Sequence, residues 1–328
     1  MNLTNIFSLI YRMLKFSSFV FYLFLVSKIA AAQKITIATF NSEFLNKSRV
    51  HVKFGKQFDM KRESKKEQNF WKNEDNRTAK FKEASSNVAQ FIKKINADIL
   101  TLTEVGNKDD LKVLINELEK IGVKYKYWEV CDCKDNFTKQ HVAILSKYPL
   151  KEVLYEIEGR SIYLEEKDGD SEGETGISKG LKATVIVNEK EIDVFVLHFK
   201  SERGGFDSDA KRLAQATIAR RNIIPLLNAG RNVVVTGDLN SEKRSESIYR
   251  IRGFDDIYEE LIQTGNSNYF DDTNVRWTYN YRGEAEQIDH ILLSSKIAKK
   301  ADIKTRILET MNKNVSDHNP VIVTIKLQ

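Results

Sequence analysis

Proline is scarce in this sequence, three in 328 residues, and glycine numbers only 15. A chain so poor in breakers is not a disordered or low-complexity segment. With 41% hydrophobic and 30% charged residues it has the material for a large core, as one big domain or two small ones. Cysteine is scarcer still: Cys131 and Cys133 are the only pair. Two thiols with no evident second pair leave a zinc site incomplete. One intervening residue in extended chain puts the two Cα atoms near the bridging limit of about 7 Å, so a bond demands a bend, and a bridge or two free thiols both stay open. No hydrophobic run is long enough to span a bilayer comfortably, and internal repeats and a linker are absent. The net charge of +6 includes Arg12, Lys15 and Lys28, which leaves the remainder mildly basic with no polybasic arm.

The first 32 residues contain no acid. Arg12 and Lys15 precede an apolar run from Phe16 to Val26, and Ala30, Ala31 and Ala32 supply small residues before Gln33. The run is shorter than the roughly twenty residues that span a bilayer. Residues 1–32 are therefore expected to be a cleaved signal peptide and 33–328 a single domain, secreted or periplasmic, with a retained anchor as the alternative. Export would permit a disulfide.

Alternation and β-branching mark Lys34 to Phe40 as a strand ending at Asn41. Asn46 to Lys82 is charged and aperiodic, with Lys53, Lys56, Lys61, Arg62, Lys65, Lys66 and Lys72, and reads as a surface insertion, either a solvated loop or a phosphate-contacting flap. Thr78 to Ile95 has one apolar helical face, and Asp98 to Thr103 is a buried strand ending in Glu104. Strand, helix, strand implies a parallel pair, which puts Asn41 and Glu104 at the same sheet edge. Leu111 to Ile121 is a helix, and Tyr125 to Val130 and His141 to Ser146 are strands. Glu165 to Lys179 is acidic and glycine-spaced; Asp168, Asp170 and Glu172 hint at a calcium loop, but Lys179 stands where a bidentate Glu is needed, so a hairpin tip is expected.

Leu181 to Val187 and Glu191 to Leu197 form a hairpin across Asn188, Glu189 and Lys190, and its second strand delivers His198. A helix from about Asp209 to Asn228, capped by Ser208 or Asp209, leads to the strand VVVT and then Gly237, Asp238 and Asn240. Ile251 to Ile262 reads as short and helical, Trp277 to Tyr281 as extended, Gln287 to Leu293 as a strand carrying Asp289, and Val321 to Leu327 as the last strand. Trp277, Tyr279 and Tyr281 alternate as core or cross-strand residues do. His51, His141 and His290 carry no functional assignment.

Asn41, Glu104, His198, Asp238, Asn240, Asp289 and the pair Asp317 and His318 thus all stand at strand ends, where a rigid scaffold holds a site. Carboxylates for a divalent ion, amides for water and phosphate, and imidazoles for phosphate charge suit metal-assisted attack of water on a phosphoester.

The motifs TFNSEFL (39–45), ADILTLTEV (97–105), HVAILSKYP (141–149), LHFKS (197–201), GDLN (237–240), QIDHILL (287–293) and SDHNPV (316–321) cover nearly all of the chain beyond the leader. In this order they resemble the endonuclease/exonuclease/phosphatase superfamily, which includes pancreatic-type deoxyribonuclease, AP endonucleases, neutral sphingomyelinases and inositol polyphosphate 5-phosphatases. The resemblance implies an α/β fold: a four-layered sandwich of two mixed β-sheets packed face to face, with helices outside. It implies Mg²⁺, with Mn²⁺ or Ca²⁺ as substitutes, on Glu104 with Asn41 beside it and Asp317 as a further ligand. Asp238 and Asn240 resemble the pair that orients water and contacts phosphate, Asp289 the partner of His318, and His198 the central histidine. Arg160, in GRSIY, matches a substrate-phosphate arginine only loosely.

The opening Asn41-Ser42-Glu43 departs from the AP endonuclease pattern, and GDLNSE and QIDHIL depart from that of the inositol phosphatases. Lys200, Arg203, Lys211 and Arg212 resemble the basic loop of bacterial secreted nucleases and are placed to neutralise successive phosphates. No exposed hydrophobic hairpin for lipid entry is evident. The expected function is a monomeric, secreted, metal-dependent endonuclease acting on DNA or RNA, with no protein partner inferable and no stable membrane association once the leader is cleaved. The alternatives are a sphingomyelinase-like phosphodiesterase and a catalytically inactive binding member.

Overall fold

The computed structural model describes residues 34–164, 172–253, 261–263, 276–281, 283–297, 303–310, 312 and 314–327. The expected leader, 1–32, lies outside them, as do the tip 165–171 and most of 251–262.

The first half runs β1 (Lys34–Leu45), α1 (Lys65–Lys72), α2 (Glu74–Ile95), β2 (Ile99–Val105), α3 (Lys108–Lys120), β3 (Tyr127–Val130) and β4 (His141–Ser146). The second begins with β5 (Leu150–Leu154), β6 (Ile157–Leu164), β7 (Glu172–Ile177), β8 (Gly180–Val187), β9 (Lys190–His198), α4 (Phe206–Asn228) and β10 (Asn232–Asp238). It closes with α5 (Glu246–Arg252), β11 (Ile262–Gln263), β12 (Tyr279–Tyr281), β13 (Glu284–Glu286), β14 (Asp289–Leu293), β15 (Lys304–Ile307) and β16 (Val321–Lys326).

Two helical crossovers set the topology. β1 and β2 pair in parallel from Ile37↔Ile99 to Asn41↔Thr103, and β9 and β10 in parallel from Asn232↔Ile192 to Asp238↔His198. Each parallel pair lies at the middle of a six-stranded mixed sheet, ordered β15-β16-β1-β2-β4-β3 and β11-β14-β10-β9-β8-β5. The strands are apolar on both faces because both faces are covered. Ile35, Ile37 and Ile144 of the first sheet meet Val194, Val196 and Ile291 of the second between the sheets. Phe40 and Leu102 turn outward onto Phe81, Val88 and Ile92 of α2 and Leu111 of α3. Phe195 and Val235 do the same against Ile218 and Ile223 of α4 and Ile248 of α5. At about 1.5–3 kcal/mol for each buried large apolar side chain, these three layers of contact are the main favourable term. The four-layered sandwich is as expected.

Several local expectations are revised. The charged stretch after Asn46 is not a solvated loop: it holds two 3-10 turns, Val52–Phe54 and Met60–Arg62, then α1, and α2 starts at Glu74 rather than Thr78. Asn73 caps α2 by accepting from the N–H of Asn76. The lysines hid an amphipathic segment whose anchor, Trp71, is buried against Phe54 and Phe70. The hairpin across residues 188–190 turns on Asn188 and Glu189, at φ 47° and 68°, the left-handed pair of a tight turn. α4 begins at Phe206, after Gly205, three residues before the expected start. Of the stretch expected to be helical, 251–262, residues 254–260 lie outside the described ones; at its two ends α5 (Glu246–Arg252) finishes and the strand Ile262–Gln263 begins. Cys131 and Cys133 are bridged, their Cα atoms 5.2 Å apart, so the chain makes the required bend.

Candidate active site

His198, Asp238 and Asp289 form one rung across three neighbouring strands, because Asp238 is paired in register with His198 on one side and Asp289 on the other. Side chains directly opposite one another in a sheet share a face. Gly237 is what lets β10 approach β9 here: at φ 132° a Cβ would lie 1.9 Å from the Leu197 carbonyl oxygen. Asn240, at φ 46°, then turns the chain back, its N–H donating to Asp238 Oδ1 (2.9 Å) and its Nδ2 to the Phe199 carbonyl (3.1 Å).

The first sheet contributes from two bulges. Pairing of β1 with β2 shifts between Asn41 and Leu45, and that of β2 with β4 between Thr103 and Val105. Glu43, Phe44 and Glu104 there take φ values of 44°, 45° and 59°. Left-handed non-glycine residues cost on the order of 1 kcal/mol or more each and need surrounding structure to hold them. Several contacts do so. The Phe44 N–H donates to Glu104 Oε2 (3.0 Å), the Glu43 N–H to Asn41 Oδ1 (2.9 Å), and Ser316 Oγ to the Asn41 carbonyl (2.7 Å). Lys53 reaches in from the insertion with no exposed side-chain surface, and its ammonium donates to the carbonyls of Ser42 (2.8 Å), Glu43 (3.1 Å) and Val315 (2.5 Å). Lys53 is therefore a staple between the Asn41 turn and the loop carrying Asp317 and His318, and cannot be the phosphate contact expected of that stretch.

The halves meet directly. Asn41 Nδ2 donates to Asp238 Oδ2 (2.9 Å), and His198 Nε2 lies 3.8 Å from Asp238 Oδ2 and 3.9 Å from Glu104 Oε1. His318 Nδ1 donates to Asp289 Oδ2 at 2.8 Å, and Tyr279 stacks on its ring with centroids 4.7 Å apart. Asp317 is half-exposed, its Oδ1 3.9 Å from His318 Nε2. All eight expected catalytic and metal residues are thus gathered around one centre.

Burial and crowding divide their protonation. Burial, then the Asp289 charge, push the Asp238 carboxyl up to about 7. Burial alone would lower His318, but the Asp289 carboxylate in contact with it, together with Asp317 and Asp238, holds it well above its usual value, as an imidazolium. His198, desolvated and facing the positive charges of Lys179 and His318, is pushed well below the usual range and is neutral.

Two residues that the strand-end pattern missed belong here. Glu43 is pushed up to about 8 by burial and by the charges of Asp317 and Glu104, and its Oε2 is buried with no hydrogen-bond partner. Lys179, in the turn before β8, donates to Gln140 Oε1 (3.2 Å) and is drawn electrostatically to Glu104 and Asp238. Glu43 was visible at the strand end in TFNSEFL; Lys179 carries no sequence signal beyond its place ahead of a strand.

The donor set fits a divalent cation. Ligand atoms of Glu104, His198 and Asp238 all lie within 4.8 Å of one another, and so do those of Asp238, Asp289 and His318. Burial and then the Asp317 charge raise both Glu43 and Glu104, and the Glu104 charge raises Glu43 further, the signature of carboxylates short of positive charge. Hard oxygen donors of this kind suit Mg²⁺, Mn²⁺ or Ca²⁺. A third group, Cys131, Cys133 and His141, also lies within that distance, but its sulfurs are bonded to each other.

The centre opens into a cleft of about 1710 Å³ whose lining includes Arg160, Lys200 and Arg203. Arg160 is exposed and paired with Glu174. Burial lowers Lys200, and the charges of Lys211, Lys179, Arg212 and Arg203 lower it further, which marks a concentration of cations on that wall. Arg212 is not free for phosphate: it is buried, paired with Asp209, and donates to the Lys200 carbonyl.

Two mixed sheets back to back, with acids, amides and imidazoles gathered at one end, define the phosphoesterase fold of the metal-dependent hydrolase class. The chain belongs to the endonuclease/exonuclease/phosphatase family, whose model matches residues 38–318. Its fold is similar to that of an endonuclease/exonuclease/phosphatase from Bacteroides vulgatus, at 17% identity and TM-score 0.57 over 90% of this chain and 100% of that one. It is similar to truncated TDP2 from Caenorhabditis elegans, at 15% identity and TM-score 0.55 over 89% and 97%. A mutant beta toxin from Staphylococcus aureus, with bound magnesium ions, matches at 16% identity and TM-score 0.54 over 90% and 100%. No curated protein sequence matches.

Proposed function

We propose that this protein is a divalent-metal-dependent phosphodiesterase whose substrate is nucleic acid, cut as an endonuclease cuts it. One observation carries the reading: the Glu104, His198 and Asp238 group and the His318–Asp289 pair share one centre that opens into a cleft of about 1710 Å³ with Lys200 and Arg203 on its wall. Glu104 would hold the cation, with Glu43 and Asp317 near it; Asn41 orients Asp238. When bound, Mg²⁺ supplies Lewis-acid polarisation of the phosphate and charge for the leaving oxygen. Asp238, raised to about 7, is matched to removing a proton from water near neutrality, and Asn240 fixes its carboxylate. His318, protonated and held through Nδ1 by Asp289, keeps Nε2 to donate to a phosphate oxygen. Neutral His198 stands between Glu104 and Asp238, its Nε2 3.9 and 3.8 Å from their carboxylate oxygens, and Lys179 adds positive charge beside them. The cations around Lys200 favour a polyanion. The bridged cysteines and the leader-like residues 1–32 support an exported protein, acting as a monomer.

The second reading, a lipid phosphodiesterase, is favoured by Ile162 and Leu164 of β6, which are exposed in a hairpin where no apolar lip was expected. Plasmid DNA, RNA and sphingomyelin vesicles incubated in parallel, with Mg²⁺ and with EDTA, separate the readings. Plasmid or RNA cleavage that EDTA abolishes is expected. Lipid turnover without nicking overturns the nuclease reading, and nicking in EDTA overturns the metal requirement. His318→Ala and His198→Ala are each expected to lower the rate more than tenfold, about 1.4 kcal/mol of barrier.

A further inference from the structure

Phe137 is the most exposed large apolar side chain among the described residues, at 71%, and it is held outward by construction. Asp135 Oδ1 accepts from the N–H groups of both Phe137 (3.0 Å) and Thr138 (3.0 Å), and the segment leaves the Cys131–Cys133 bridge on one side and joins β4 on the other. Its ring stands 5.1 Å from that of Phe58, which stands 6.0 Å from that of Phe44. Phe44 is the residue whose N–H holds Glu104. All three rings line the cleft, so the row runs from the edge of the catalytic centre out to the lip. The Arg49 guanidinium lies 4.5 Å from the centre of the Phe58 ring while its Nη2 donates to the Phe137 carbonyl (3.1 Å), which ties the insertion to the Asp135 turn.

We propose that Phe137, with Phe58 and Arg49 behind it, is a stacking subsite for an unpaired nucleobase of a single-stranded or frayed substrate, adjoining the scissile phosphodiester. The proposal rests on the nucleic-acid reading above. Covering an exposed phenyl ring removes apolar surface from water, and a base attached to a phosphodiester offers a π-face of that size. An acyl chain needs a continuous aliphatic slot, whereas the cleft that the rings line is also lined by Asp132, Lys134, Asp135 and Gln57. A paired base keeps its faces within the duplex stack, so the subsite discriminates strandedness and not sequence.

The test uses the full chain with Phe137→Ala and Phe137→Trp, an oligodeoxynucleotide carrying 2-aminopurine, the same sequence as a duplex, and sphingomyelin vesicles. Phe137→Ala is expected to raise KM for the single strand about tenfold, the scale of one base–aromatic stack, and to change duplex KM less than about twofold. It also removes the 2-aminopurine quenching seen on binding in EDTA, and Phe137→Trp restores both. Equal effects on single strand and duplex, or none on either, overturn the stacking subsite while leaving the nuclease reading intact. Absence of cleavage of either nucleic acid, with vesicle turnover that falls in Phe137→Ala, overturns both and assigns the rings to lipid.

Discussion

Replacing Lys53 with methionine keeps an unbranched stem and removes the three donors that join the Asn41 turn to the His318 loop. The ammonium has no exposed surface and serves three backbone carbonyls, those of Ser42, Glu43 and Val315. A buried carbonyl left without a donor costs about 1–3 kcal/mol, so three would cost roughly 3–9 kcal/mol before relaxation. Burial also lowers the Lys53 pKa to about 8, which shows that desolvating the charge opposes folding, and its loss offsets part of that cost. A net destabilisation of about 3–5 kcal/mol, the range for breaking a buried charged contact, follows. At about 2–4 °C per kcal/mol for a domain near this size, the midpoint of thermal unfolding falls by roughly 6–20 °C. Activity should fall further than stability requires. At a temperature where the variant is fully folded by circular dichroism, kcat is expected to drop at least about tenfold, because Asn41, Asp317 and His318 lose their common tether. Substrate KM should change less than kcat, and Mg²⁺ binding followed by calorimetry should weaken. A Lys53→Met protein within 1 kcal/mol of the parent in urea unfolding, with parental kcat, would refute the staple.

Two further outcomes follow from the same geometry. The acid limb of kcat/KM reports Asp238: activity rises with pH as the carboxyl ionises, with a midpoint of about 7 or lower, and added Mg²⁺ moves the limb downward because a cation favours the ionised form; a limb near pH 4 that ignores Mg²⁺ refutes the assignment. Gly237→Ala drives a Cβ into the Leu197 carbonyl at a φ that alanine disfavours, so urea unfolding should show a loss of at least about 3 kcal/mol, and a loss under 1 kcal/mol would mean that β9 and β10 can separate there.

The sandwich and the polar ends of its strands were readable because apolar, β-branched runs stop at polar residues, and topology needs little more than that to place Asn41, Glu104, His198, Asp238 and Asp289. What escaped is informative. Lys53 looks like any lysine in a charged stretch; only three carbonyls brought together from residues 42, 43 and 315 make it internal. Lys179 was weighed as the failed twelfth position of a calcium loop, whereas its ammonium is held by Gln140 and Asp135 on the cleft wall, where it feels the charges of Glu104 and Asp238. β5 and β6 went unseen because they are half-exposed outer strands without clean alternation. The apolar lip at Ile162 and Leu164 was missed for the same reason.

The rung His198–Asp238–Asp289 has one more consequence. Three groups with distinct duties share a single hydrogen-bonded row, so no one of them moves without the others: a slip of β10 by one residue would send Asp238 to the opposite face and leave His198 and Asp289 on either side of an empty position. Proton placement in this protein is thus a property of strand alignment. The loops around the cleft lie outside that row, whereas a change of register in β10 would disturb all three residues together.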